Sequence, residues 1–112
     1  MATAPGTATF ELAPAGGAGS FRLSGVLSFQ TASRVLAAGT RAFGSERALA
    51  VDLSGVTHAD SAGLAVLLTW VERARREGRS LAFTAIPAQL VKIARLCAVE
   101  PLLGAAAPVT GA

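Results

Sequence analysis

The segment that most constrains the fold runs from Ala48 to Gly78, where the hydrophobic period changes once. In Ala48-Leu49-Ala50-Val51-Asp52-Leu53, the residues Leu49, Val51 and Leu53 alternate to one side, as in a central strand covered on at least one face. The strand is expected to end at Ser54-Gly55. After a loop through Asp60, Leu64, Leu67, Leu68, Val71 and Ala74 recur at i, i+3, i+4, i+7, and Gly78 supplies a stop. A strand followed by an amphipathic helix can hide its apolar side only inside a layered α/β arrangement.

The flanking segments extend the alternation. Thr7–Leu12 and Ser20–Val26 are β-compatible stretches separated by the Gly- and Pro-containing Ala13–Gly19, which predicts a hairpin. Ala32, Val35, Leu36, Gly39 and Phe43 predict a first helix after Thr31, ending at Gly44. Ser80–Ala85 reads as a strand. Pro87 opens a third helix with Leu90, Ile93, Ala94 and Cys97 inward, and Pro101 is expected to end it. The fold class is α/β: a mixed four-stranded sheet with three helices packed mainly on one face. A single domain is expected over residues 7–103, between disordered tails at 1–6 and 104–112 that lack periodicity.

Composition excludes several function classes. The chain of 112 residues is 52% hydrophobic and 15% charged, too apolar for disorder, yet its apolar runs fall short of the ~18 residues of a membrane span. Direct membrane insertion is not expected. Met1–Phe10 has no secretory pattern and Cys97 is the lone cysteine, which fits a cytoplasmic setting without disulfides. The net charge of +3 is spread out; Arg73, Arg75, Arg76 and Arg79 alternate with Glu72 and Glu77, and the chain has no tyrosine for base stacking. No nucleic acid partner is expected.

Catalytic and cofactor chemistry also lack residues. His58 is the only imidazole, and His58, Asp60 and Ser61 are too close in sequence to converge readily as a triad. No Walker-type loop, G-x-G-x-x-G or metal-ligand set is present, so no catalytic residue, cofactor or metal is expected. Cys97, on the apolar stripe, is read as a buried small hydrophobe. At the start of the second helix, Asp60 or Ser61 is an N-cap, and the unpaired N–H groups there would also welcome a phosphoryl group on Ser61. On the same helix Val66 and Trp70 fall opposite the core stripe, with Ala62 and Arg73 beside them. That placement predicts a partner-binding face; the alternative is that a rolled helix or the third helix buries Trp70.

A strand ending Val51-Asp52-Leu53-Ser54-Gly55-Val56, followed by Asp60-Ser61-Ala62-Gly63-Leu64 at a helix start, closely resembles the STAS domain. The element order matches as well. The resemblance implies a non-enzymatic interaction domain, typified by anti-sigma factor antagonists in which the serine corresponding to Ser61 is phosphorylated by a partner kinase. The stretches Thr69–Arg79, Ala82–Leu90, Ala94–Leu96 and Val99–Leu103 are similar to the MlaB branch, the cytoplasmic subunit of an ABC transporter that moves phospholipids between Gram-negative membranes. Ala62 replaces the second serine of the antagonists' D-S-S-G-L, and Gly78-Arg79 replaces their Gly-Gly, which favours that branch. What the resemblance implies is a subunit peripheral at the inner membrane that binds an MlaF-like ATPase, the alternative partner being an anti-sigma factor kinase. Thr57, His58, Asp60, Ser61, Ala62, Gly63, Val66, Trp70 and Arg73 are the expected partner-binding residues, with Ser61 as the candidate switch.

Overall fold

The computed structural model describes residues 8–106. The N-terminal tail expected at 1–6 lies outside the described residues. Eight elements follow in the order β1 (Phe10–Pro14), β2 (Ser20–Leu27), α1 (Ala32–Phe43), β3 (Ala48–Ala59), α2 (Ser61–Arg76), β4 (Ser80–Thr84), α3 (Ala88–Leu96) and α4 (Glu100–Ala106). The expected hairpin is present: β1 and β2 pair antiparallel, with Leu12 opposite Leu23. β2–β3 and β3–β4 are parallel, so the sheet is mixed, in the order β1-β2-β3-β4.

One sheet face makes the core. Leu23, Val51, Leu53 and Leu81 are fully buried, with Phe21, Leu49 and Phe83 nearly so, whereas Arg22 and Thr84 are exposed on the other side. α1 contributes Val35 and Phe43, α2 Leu64, Leu67, Val71 and Ala74, and α3 Leu90 and Ala94. The alternation of β3 and the spacing of α2 are thus both satisfied by one apolar layer.

Three boundaries differ from expectation. β3 does not stop at Ser54-Gly55 but continues to Ala59, because β2 remains beside it: Ser24 pairs with Gly55, Val26 with His58 and Leu27 with Ala59. The register slips twice, leaving extra residues on β3, as a bulge does. Residues read as a polar loop therefore belong to a strand. Pro101 does not end the third helix. α3 closes at Leu96, Ala98 takes φ 60°, and Pro101 stands in the first turn of a fourth helix, where its missing N–H costs nothing. That helix carries the chain past residue 103; 107–112 lie outside the described residues.

Cys97 also departs from expectation. It caps the C-terminus of α3 and is exposed, because the helix closes before its stripe reaches that position.

Candidate functional site

Because β2 and β3 are parallel, their C-terminal ends meet at one edge of the sheet, beside the N-termini of α1 and α2. This is where open α/β sheets gather functional loops. Thr31 is fully buried and fixes the β2–α1 turn: its Oγ1 donates to Val26 O at 2.8 Å and accepts from Ser28 N at 3.1 Å. The turn holds Phe29 out into solvent at 74% exposure.

Asp60 joins that turn to α2. As the N-cap, its Oδ1 accepts from Ala62 N at 2.9 Å and Gly63 N at 3.1 Å, and its Oδ2 accepts from Phe29 N at 3.2 Å. One carboxylate thus satisfies orphan N–H groups of the helix and ties down the neighbouring turn. Gly63 makes the tight approach feasible: a Cβ there would fall on Leu27 O and within 2.8 Å of Leu27 Cγ.

With Asp60 as the cap, Ser61 is the first helical residue, exposed, and its hydroxyl makes no hydrogen bond among the described residues. Thr57 and His58 are exposed on β3, and Thr57 Oγ1 donates to Gly25 O at 3.3 Å. Ala62 is half-buried. Asp60's carboxylate bonds backbone N–H groups and His58 makes no hydrogen bond with it, so no triad is assembled. Among the described residues no group of three His, Cys, Asp or Glu side chains could hold a metal ion.

The remaining expected residues do not add to this surface. Gly63 is buried against Leu27 and offers no surface. Val66 and Trp70, expected to face outward, are 4% and 3% exposed. The reason is α1, which lies alongside α2. Gly39 brings its backbone so close that a Cβ there would sit 2.7 Å from Trp70 Nε1, and the indole meets Phe43 edge-on with centroids 5.0 Å apart. A second helix, rather than solvent, covers the far stripe of α2. Arg73 is exposed but stands near the other end of α2, donating to Thr40 Oγ1 at 2.8 Å.

Phe29 was missed by the sequence reading. Its only signal is an aromatic residue between Ser28 and Gln30, in the segment joining the second strand to the first helix.

Comparison with known proteins places the chain in a family. A family model described as "Mlab, STAS domain" matches residues 10–104. The chain belongs to the STAS domain family. Among solved structures it is similar to the anti-sigma factor antagonist SpoIIAA in its unphosphorylated form, with a TM-score of 0.65, 13% identity and 84% of each chain covered. That likeness bears on the fold alone. A search of curated proteins finds no match. Among the described residues no helix of this STAS domain is long and apolar enough to cross a membrane.

Proposed function

We propose that this STAS domain is a non-enzymatic, cytoplasmic, MlaB-like subunit that binds the ATPase of a phospholipid ABC transporter, and is thereby peripheral at the inner membrane. The observation that carries the proposal is the surface built around Asp60. The Asp60 cap ties the turn that carries exposed Phe29 to the helix start that carries Ser61, beside exposed Thr57 and His58 at the end of β3, with no catalytic constellation among them. A rigid polar surface with one projecting aromatic suits protein docking, since a preordered anchor loses little entropy on binding. The family match over residues 10–104, described by MlaB, supports the transporter branch. Binding that favours one state of the ATPase would stabilise that state by mass action.

The exposed, unengaged hydroxyl of Ser61 supports a second reading, an anti-sigma factor antagonist switched by phosphorylation. A phosphoryl group there would meet the positive end of α2.

Co-purification from native cells, with mass spectrometry of both the captured protein and Ser61, separates the two. An ATPase with unmodified Ser61 supports the transporter; a kinase with phosphorylated Ser61 supports the antagonist. In either case Ser61→Asp is expected to leave the melting temperature nearly unchanged and to weaken partner binding relative to Ser61→Ala, because an added charge must be desolvated at the contact. Equal affinities of the two variants, measured on folded protein, would take Ser61 out of the interface.

A further inference from the structure

β1 is an outer strand of the sheet, paired on one side by β2 and by no strand on the other. Bonds from Ala15 N to Ser20 O at 2.9 Å and from Val26 N to Thr9 O at 2.8 Å mark bonded pairs at the two ends of the β1–β2 ladder. Bonded pairs recur at every second residue of an antiparallel ladder, so the backbone groups of Glu11 and Ala13 point to β2 and those of Phe10, Leu12 and Pro14 point away from it. None of the outward groups has a hydrogen-bond partner among the described residues.

Open edges are commonly blunted by a bulge, a lysine or a proline. β1 runs along β2 without a register shift and holds no lysine; only Pro14, at its end, withholds an N–H. Phe10 and Leu12 pack against the core and still keep part of their apolar surface exposed. An edge of this kind is a template for another strand.

We propose that β1 pairs antiparallel with β1 of a second copy of this chain, about a two-fold axis at Leu12. Phe10-Glu11-Leu12-Ala13-Pro14 is complementary to itself in that register. Leu12 N donates to the second copy's Leu12 O and the reverse, while Phe10 N donates to the O of the second copy's Pro14, the residue with no donor of its own. On the core side Leu12 meets Leu12 and Phe10 meets Pro14. On the uncovered face Glu11 stands opposite the second copy's Ala13. Moving the axis to Glu11 would instead set two carboxylates against each other, which like-charge repulsion disfavours. Beyond Ala13 lies the second copy's Arg22, two strand spacings or about 10 Å from Glu11, and the small Ala13 leaves the space between them open. The axis reverses strand direction, so the two Asp60 surfaces lie at opposite ends of the joined sheet. Two copies would thus offer two separate docking edges, a consequence that rests on the function proposed above; the pairing itself does not.

The test is sedimentation of the full chain, in reductant so that exposed Cys97 cannot cross-link. A five-residue edge makes a small interface, so dimers are expected at about 100 μM. Ala13→Lys and Ala13→Glu are the decisive pair. Facing the second copy's Glu11, Lys should tighten the dimer about fivefold and Glu should weaken it about fivefold. Within one chain Ala13 is opposite Arg22, so the melting temperature of the monomer should move the other way, lower for Lys than for Glu. A change in folding therefore cannot imitate the change in pairing. A chain that stays monomeric at about 1 mM, or a dimer of equal affinity in the two variants, would overturn the pairing of this edge.

Discussion

The start of α2 and its middle use similar sequence material for opposite purposes. At the N-terminal end, Asp60 caps the helix and Ser61 and Phe29 project into water. Further along the helix, Val66 and Trp70 occupy positions that look equally outward, yet both are buried, Trp70 against Gly39 of α1. The difference is set by the neighbour. Near Ser61 the adjoining segment is a turn pinned by Thr31, which leaves the helix start open; near Trp70 it is a continuous helix that approaches closely through Gly39. A residue's side of a helix therefore says which element it faces, and only the packing says whether that element is protein or solvent.

Trp70→Ala puts the greatest strain on this comparison. Removing an indole that packs against Phe43 and Gly39 is expected to destabilise the domain by ~3–5 kcal/mol, read by urea unfolding. Unchanged stability with lost partner binding would reverse the assignment and make Trp70 an interface residue. Phe29→Ala should behave in the opposite way: stability within ~0.5 kcal/mol of the natural sequence, and partner affinity down about tenfold or more, measured by calorimetry. If affinity holds, the docking surface excludes the β2–α1 turn.

Asp60→Ala tests the link between the two elements of the N-terminal end. Loss of the cap bonds and of the tie to Phe29 N is expected to cost ~1–2 kcal/mol of stability and to weaken partner binding as well, since Ser61 and Phe29 would no longer be held together. A stability loss without any change in affinity would show that the tie does not organise the surface.

The smallest effect is expected on the uncovered sheet face. Asp52 is held below the usual carboxylate range first by the backbone N–H of Ser54, donated at 2.8 Å, then by the Ser54 side chain and the charge of Arg22. A carboxyl depressed in the folded state adds stability above its unfolded pKa and loses it as pH falls through the folded value. The natural protein should thus be slightly more stable than Asp52→Asn at neutral pH, and the gap should close in acid. A gap that does not change with pH would mean that the carboxylate's charge contributes nothing. The carboxyl stays in contact with water, which keeps the contribution small.

Much of the architecture is legible in the sequence. The strand and helix order up to α3, the mixed sheet, the stop at Gly44 and the helix start at Asp60-Ser61 all follow from local features: a period of two or 3.6, a cap, a glycine or a proline. Such signals lie within a few residues of the structure they specify. Asp60 and Ser61 are both cap candidates in the sequence; the bonds from Ala62 N and Gly63 N decide for Asp60, while its tie to Phe29 N, far away in sequence, is beyond local signals.

What tertiary structure alone decided has the same physical origin in each instance, a contact between segments distant in the chain. Thr57 and His58 look like a polar loop by themselves and become strand only because β2 supplies hydrogen-bond partners as far as Ala59. Gly63 looks like part of a binding motif and is instead the place where α2 touches Leu27. Trp70 looks like an interface anchor until Gly39 admits α1 over it. Composition, periodicity and caps determine which elements form, because those energies are local. Which faces those elements leave to a partner is determined by burial and long-range hydrogen bonds, whose terms exist only once the chain has closed on itself.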